Sequence, residues 1–400
     1  MPTLISFLGQ SRSDPVTGYQ QARYRFAPDF ACDVPYFGMG LLEYLHPHCK
    51  KLILMGTPGS MWDVFFDHQN RDSNAAELMA AVEAQDVSPE ALARHEQKLT
   101  QTLGIEVKCL LIPYAKDAEE QSMILKRMAE SVQDGENIVL DVTHSFRHLP
   151  MLALVAARYL THVRKVSVGE IYYGAFHMKD PDTHEVPVLK LGHLLKMLDW
   201  SEALAIYDQS GDYGVFASLL HDDGMDEASA RMLSRGAYYE RCNNPVLARE
   251  SLSSALGAID QHKGTLGQLF RTALTQRISW FRKGRRADWE LALSDRYLEK
   301  RDYLRTLIYM FESLASHAVH SEGGNANDYD SRAVALKRIR DKRSSIKSLT
   351  SLRNTMVHGV RPTERSKNDE RILRDETLLR ERLQTLRRSL FNSRHRPLKS

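Results

Sequence analysis

A group of hydrogen-bond donors follows a predicted buried strand in the stretch LDVTHSFRHLP, residues 140–150. Aliphatic residues at 138–140 are typical of a core strand, and the apolar helix pattern MLALVAARYL follows Pro150. The polar side chains between strand and helix include those of Asp141, Thr143, His144, Ser145 and Arg147. The donors among them suit phosphate oxygens, and the unpaired N–H groups of a helix N-terminus also favour anions. The stretch therefore predicts a site for a nucleotide-like ligand.

Two other predicted strand ends are polar or glycine-rich, FLGQSRS after the first strand and LMGTPGSMWD after another. In open α/β sheets, ligands bind outside the carboxyl ends of the strands, so the three loops are expected to converge on one site. Gly56 and Gly59 permit a tight turn, and Ser60 suits the cap of a helix that begins at Met61. Trp62 is a candidate for stacking on a base. Taken one at a time, these residues are better explained as a cap or as core, and only their convergence favours a ligand.

A second set of chemistry-bearing residues lies in SLRNTMVHG, where Arg353, Asn354 and His358 precede a glycine. Cleavage of RNA without a metal ion needs an acid or base near neutrality for the 2′-hydroxyl and the leaving 5′-oxygen, which histidine provides. It also needs a fixed cation beside the phosphate, which arginine provides. Asn354 can bind the phosphate or orient the histidine. The set predicts a ribonuclease centre.

The spacing of this arginine and histidine is weakly specific, and a rival pair, Arg388 and His395, stands in the basic C-terminal segment. The rival lies near a terminus, where a preorganised site is harder to hold. On an ideal helix Arg353 and His358 are roughly 140° apart, so one copy does not easily complete a site. A dimer with two-fold symmetry could bring two copies together, and we include it in the hypothesis.

The elements that must hold these residues follow two patterns along the chain. From Met1 to about Gly192, short aliphatic strands alternate with helical stretches, which predicts a mostly parallel sheet covered on both faces. The segments KVSVGEIYYGAF and VPVLKLG indicate a closing pair of strands. Beyond about Leu194 the patterns are helical, with a loop at 321–331. We predict an α/β domain at 1–193 and an all-α region at 194–400.

Charge is distributed unevenly along the chain. The net charge is +3, but residues 331–400 carry +13 and the first 330 residues carry −10. A basic segment indicates a polyanionic partner, although charge alone slightly favours a solvated helical face. The four scattered cysteines argue against a disulfide framework or a structural zinc site. The chain has no dinucleotide or P-loop motif, and no leader or membrane-spanning pattern, so we expect a cytoplasmic protein without a nicotinamide cofactor.

Over nearly its whole length the chain resembles the CARF–HEPN ribonucleases of type III CRISPR systems. Asp141-x-Thr143-His144 after a central strand, LGTPGSMWD, and the final Arg353-Asn354-x-x-x-His358 carry the resemblance. It is closest to the branch named for a D-x-T-H-G motif, a group of CRISPR-associated ancillary effectors. The resemblance implies a Rossmann-like CARF domain followed by a helical HEPN domain. The glycine of the motif is Ser145 here, which bears on the ring size of the ligand.

The resemblance implies a homodimer that binds a cyclic oligoadenylate second messenger across its two-fold axis and then cuts single-stranded RNA without a metal. Arg353, Asn354 and His358 would cut and leave a 2′,3′-cyclic phosphate. The ligand-binding residues would be Gly9, Gln10, Ser11, Gly56, Thr57, Ser60, Met61, Trp62, Thr143, His144, Ser145, Phe146 and Arg147. No cofactor is expected beyond this activator. Two alternatives stay open, a catalytically silent sensor or adaptor, and a CARF pocket that also degrades the ring through His144 or Thr143.

Overall fold

A computed structural model describes residues 1–10, 13–14, 18–65, 73–144, 146, 148–282, 284–339, 343–359 and 367–391. The chain divides into two compact units, Met1–Lys196 and Met197–Ser400. The predicted boundary between residues 193 and 194 lies close to this division. In the described part of the chain, no helix is long and apolar enough to cross a membrane.

The N-terminal unit is built on a mixed, mostly parallel sheet. Among the described residues this sheet has eight strands in the order β5-β4-β10-β9-β8-β1-β6-β7. The strands are β1 Thr3–Leu8, β4 Ala22–Ala27, β5 Phe30–Val34, β6 Lys51–Gly56, β7 Glu106–Leu111, β8 Asn137–Asp141, β9 Ser167–Gly174 and β10 Glu185–Lys190, with a separate ribbon of β2 Ser13–Asp14 and β3 Gly18–Tyr19. Strand β1 pairs in parallel with both β6 and β8.

Helices cover both faces of this sheet. They are α1 Phe37–Leu45, α2 Ser73–Glu83, α3 Pro89–Leu103, α4 Ala118–Ser131 and α5 Leu149–Val163. Successive side chains of a strand point to opposite faces. In β1, Leu4 and Leu8 accordingly join the core on one face, while Ile5 and Phe7 join the core on the other. Burial on both faces explains the unbroken aliphatic runs in the sequence.

The described residues of the C-terminal unit contain helices and no extended strand. The helices are α6 His193–Ser210, which begins before the division, α7 Phe216–Asp222, α8 Glu227–Arg241, α9 Pro245–Gln261, α10 Thr265–Ile278, α11 Arg286–Glu299, α12 Tyr303–Ser321, α13 Tyr329–Ile339, α14 Ser344–His358, α15 Lys367–Leu373 and α16 Glu376–Phe391. Helix α12 contributes Tyr309 to a core with α6 to α11, and Leu307 and Leu314 to a second core with α13 to α16.

The predicted fold class, α/β followed by all-α, is confirmed, and the closing strands are β9 and β10, which pair antiparallel. The patterns did not indicate the β4–β5 hairpin, whose β4 lies beside β10 about 160 residues later in the chain. The helix predicted to begin at Met61 is instead a 3₁₀ turn, Trp62–Phe65. Residues 66–72 lie outside the described part.

Candidate ligand-sensing and nuclease sites

The carboxyl ends of four neighbouring parallel strands, β8, β1, β6 and β7, lie along one edge of the sheet. In register, Asp141 at the end of β8 is opposite Ser6, and Leu8 at the end of β1 is opposite Gly56. Strand β1 is flanked by β6 on one side and by β8 on the other. The connections that lead to β6 and to β8 therefore place these strands on opposite sides of β1. This arrangement is a topological switch point, where open α/β sheets bind ligands.

The loop after β6 is buried scaffolding. The Ser60 hydroxyl donates to the Leu8 carbonyl at 2.8 Å and accepts from the Thr57 amide at 2.9 Å. The Met61 amide donates to the Gly9 carbonyl at 2.9 Å, so this loop is tied to the end of β1. Thr57, Ser60 and Met61 are all almost completely buried. They support the ends of the strands and do not present side chains to a ligand.

Trp62 is the side chain for which the sequence interpretation was wrong. Its indole is 0% exposed, and Nε1 donates to the Thr57 carbonyl at 2.9 Å. A Cβ atom at Gly56 would lie 2.7 Å from the ring, so glycine is required there for the indole to pack. A ring enclosed in this way offers no face for a base. The apolar surface of an indole is large, so burying it stabilises the fold more than leaving it exposed would.

Asp141, the first residue of the motif, is completely buried at the end of β8. Its carboxylate accepts from the Ser6 hydroxyl and from the Thr143 amide, and Tyr36 contacts Ser6 in turn. Burial raises the pKa of Asp141 to about 6, against the lowering effect of these hydrogen bonds. The carboxylate therefore joins β8, β1 and the loop entering α5.

Thr143 and His144 tie the same loop to two other elements. The Thr143 hydroxyl accepts from the Gly174 amide at 2.9 Å, at the end of β9. His144 Nε2 accepts from the Phe37 amide at 3.1 Å, at the N-terminus of α1. Burial lowers the pKa of His144 to about 4, so the ring is neutral at pH 7 and its lone pair is occupied. The motif acts first as a structural clamp.

Among the described candidate residues at this edge, Gln10 and Phe146 have exposed side chains, and Phe146 is 38% exposed. The Phe146 ring packs against Tyr114 and His148 with centroids 5.9 Å apart in each case, and Lys116 Nζ lies 5.1 Å from the Tyr114 centroid. The candidate residues Ser11, Ser145 and Arg147 lie outside the described part of the chain.

Sequence reasoning missed Tyr114, Lys116 and His148, which form the aromatic and basic shelf with Phe146. Tyr114 and Lys116 stand in IPYAKD, directly after the β7 strand. The rule that drew attention to three strand ends applies equally to this fourth one, and it would have found both residues. The shelf is a better place for a base to stack than Trp62, because its rings reach the surface.

The nuclease candidates lie on α14, which packs against α12 and α16 through Ile346, Leu349 and Leu352. The Arg353 guanidinium lies 4.7 Å from the centroid of the Phe311 ring on α12. Its Nη1 donates to Asn354 Oδ1 at 3.0 Å. The structure thus brings Arg353 and Asn354 together and holds the cation against an aromatic face.

His358 is exposed at the last turn of α14, and Gly359, with φ of 77°, ends the helix. In the described residues no hydrogen bond joins His358 to Arg353 or Asn354 within one copy. Of the rival pair, Arg388 lies on α16, where Nε is 3.4 Å from the Gln384 carbonyl, and His395 lies outside the described part. The described side chains include no group of three or more His, Cys, Asp or Glu that could hold a metal ion.

Residues 3–177 match the family model of the CARF domain of CRISPR system endoribonuclease Csx1. The chain is also similar to CRISPR-associated protein MJ1674 of Methanocaldococcus jannaschii, with 23% identity over 269 residues. That alignment covers 62% of this chain and 42% of the relative, so the chain spans less than half the length of that protein.

Proposed function

We propose that this chain, whose N-terminal sheet unit is a CARF domain of the Csx1 type, is an endoribonuclease activated by cyclic oligoadenylate in a type III CRISPR system. Its substrate is single-stranded RNA, and the C-terminal helices form a HEPN domain. The observation that carries the proposal is the match to an endoribonuclease family over residues 3–177, together with the Arg353–Asn354 pair on α14.

The ligand is proposed to lie on the carboxyl edge of the sheet. Gln10 and the shelf rings of Tyr114, Phe146 and His148 supply an amide and stacking faces for adenine. In the first turn of α5 the Leu149 N–H donates to the Phe146 carbonyl and Pro150 has no N–H, so the Met151 N–H is the group proposed to meet a phosphate. The buried Thr57, Ser60 and Met61 act indirectly, because they fix the end of β1. A symmetric ring with several adenines suits a site repeated in two copies.

The second copy is proposed to pack on α5. One side of this helix exposes Met151, Val155, Tyr159 and Val163, spaced by four residues, with Met151 72% and Val155 57% exposed. A contiguous apolar stripe of this kind marks an interaction surface. It begins next to Phe146, so a dimer formed there would place the two ligand edges close to its axis.

For RNA cleavage, His358 is proposed to move the proton of the attacking 2′-hydroxyl or of the leaving 5′-oxygen. Arg353, fixed by Asn354 and Phe311, would stabilise the negative charge that grows on the phosphate. The attack of the 2′-oxygen forms a 2′,3′-cyclic phosphate and releases a 5′-hydroxyl. The buried, occupied Nε2 of His144 counts against its acting as a base on the ligand.

The test is cleavage of fluorescent single-stranded RNA in EDTA, with and without cyclic oligoadenylates of each ring size. We expect cleavage with only one ring size. In His358→Ala the rate of cleavage should fall at least about 100-fold, as it does when a catalytic acid or base is removed. Thr355→Ala, on the same helix, is the matched control and should cut normally. Ligand binding without RNA cleavage would support the catalytically silent sensor. Disappearance of the cyclic oligoadenylate over time would support the alternative in which the CARF pocket also degrades the ring.

A further inference from the structure

A cavity of about 460 Å³ lies between α12, α13 and α14, directly beside the nuclease candidates. Its apolar walls are Phe311, Leu336 and Ile346, and both Arg353 and Asn354 line it. This volume is within the range of pockets that bind small ligands, and its mixture of flat apolar walls and a few polar groups is typical of them. It is large enough for a single base.

Arg353 has unsatisfied hydrogen-bonding capacity at this cavity. Its Nη1 is used by Asn354, but Nε is buried and has no hydrogen-bond acceptor among the described residues. A buried donor without an acceptor is uncommon in folded proteins and calls for a partner. A ligand oxygen that enters the cavity would supply one if the guanidinium shifts on the Phe311 ring, since Nε is now closed to solvent.

The polar groups around the cavity are chiefly donors. Lys337 adds an ammonium group, and Asn354 keeps its Nδ2 as a donor because its Oδ1 already accepts from Arg353. Thr350 donates its hydroxyl hydrogen to the Ile346 carbonyl at 2.9 Å, so toward the cavity its oxygen can only accept. Uracil, which has two keto oxygens and no exocyclic amine, matches a set of groups that are mostly donors. Adenine, cytosine and guanine each carry an exocyclic amine that needs an acceptor.

We infer that this cavity receives one base of the RNA substrate, next to the scissile phosphate, and that it favours uracil over the bases that carry an exocyclic amine. The inference rests on the proposed function and adds to it a sequence preference of cleavage. Lys337 is the specificity-determining residue, since it is exposed, lines the cavity, and has no place in the proton transfer.

The test is binding of fluorescent 2′-O-methyl hexanucleotides of uridine, adenosine and cytidine, which cannot be cleaved, to the full-length protein with the activating ring. We expect uridine to bind at least about five times more tightly than adenosine or cytidine. Lys337→Met should reduce this ratio to less than two. The matched control is Arg338→Met, the next residue on α13, whose guanidinium bonds Glu322 and does not line the cavity. It removes the same charge and should keep the ratio.

Equal binding of the three oligonucleotides, or a ratio that Lys337→Met leaves unchanged, would overturn the inference. A sedimentation coefficient of Lys337→Met that differs from that of wild type would also overturn the inference, because a second copy would then close the cavity. If the wild type cuts RNA without preferring uridine, the pocket assignment fails and the proposed nuclease stands. If no RNA is cut under any condition but uridine is still preferred, the nuclease fails and the pocket stands.

Discussion

Individual residues of the N-terminal unit both support the fold and position the candidate ligand surface. The side chains of Asp141, Thr143 and His144 each form a hydrogen bond to another element. Asp141 bonds to β1, Thr143 to β9 and His144 to α1. Buried polar groups are costly unless they are satisfied, and here each one is. The motif therefore fixes the positions from which Phe146 and its aromatic neighbours reach the surface.

The neutral His144 predicts a pH-dependent stability. Its folded pKa of about 4 lies below the unfolded value near 6.5, so below pH 6.5 only the unfolded state gains a proton. Stability from this residue is complete above about pH 6.5 and is lost as pH falls toward 4, by roughly 3 kcal/mol. The comparison is urea unfolding of wild type and His144→Gln at several pH values. The raised pKa of Asp141 acts in the opposite direction, but it is present in both proteins and cancels. Parallel stability curves would refute the prediction.

Trp62 is expected to matter for stability alone. Trp62→Ala removes a fully buried indole and should lower the free energy of unfolding by about 3–5 kcal/mol. Trp62→Phe keeps most of the buried apolar surface and should cost less. The concentration of cyclic oligoadenylate that half-activates cleavage, measured with Trp62→Phe, should stay within about two-fold of wild type. A large shift in that concentration would restore Trp62 as a ligand contact.

Among the elements, helix α5 has two proposed roles, one at its N-terminus and one on its outward face. Its N-terminus lies at the candidate ligand edge, and its outward face carries the apolar stripe. Its inward face, with Ala153, Ala156 and Leu160, is fully packed against the sheet. The contrast between a packed inner face and an apolar outer face supports the proposal that α5 joins a second copy, since a solvated helix face is normally polar.

A charge in the α5 stripe should therefore prevent dimerisation. Val155→Asp places a carboxylate in the predicted interface, and desolvating it without a partner is costly. We expect a monomer in sedimentation velocity and a loss of RNA cleavage at matched protein concentration. Leu269→Asp, at a comparably exposed apolar residue of α10, is the control and should leave both unchanged. A Val155→Asp protein that still sediments as a dimer would exclude this face.

At the scale of the whole molecule, the uneven charge has a structural counterpart. Helices α13 to α16 carry the described part of the basic segment 331–400, and the α16 residues Arg380, Arg387 and Arg388 line an open cavity of about 510 Å³ with Asp295 and Glu299 of α11. Arg387 is held by Asp295 through two hydrogen bonds, at 2.9 and 3.0 Å. Helix α16 therefore presents a partly anchored cationic surface, which suits the proposed RNA substrate, while the first 330 residues are acidic overall.

This surface predicts a salt dependence of RNA binding. Each phosphate contact with a single strand contributes about 0.7 to the slope of log affinity against log salt concentration. The double variant Arg380→Ala, Arg388→Ala should reduce that slope by about 1.4 in anisotropy titrations with RNA. Arg231→Ala with Arg235→Ala, on the exposed face of α8, removes the same charge elsewhere. An equal reduction in both double variants would show a general charge effect and refute a specific α16 contact.

The sequence alone determined the alternation of strands and helices outside the β4–β5 hairpin, the change from a sheet unit to helices, the buried parallel strands and the motifs at their ends. These depend on local periodicity and on residue types within a few positions of one another. The same patterns placed Arg353 and Asn354 on one helix and predicted the loop that follows α12.

Only the tertiary structure decided what each side chain touches. Trp62 looked available for stacking until the turn after Gly56 enclosed it, and His144 looked reactive until α1 occupied its Nε2. The β4–β10 pairing and the cavity beside Arg353 also join segments distant in the chain. Burial and hydrogen bonding are set by these distant partners, because the free energy of a polar or aromatic group depends on its surroundings in the folded chain and not on its neighbours in sequence.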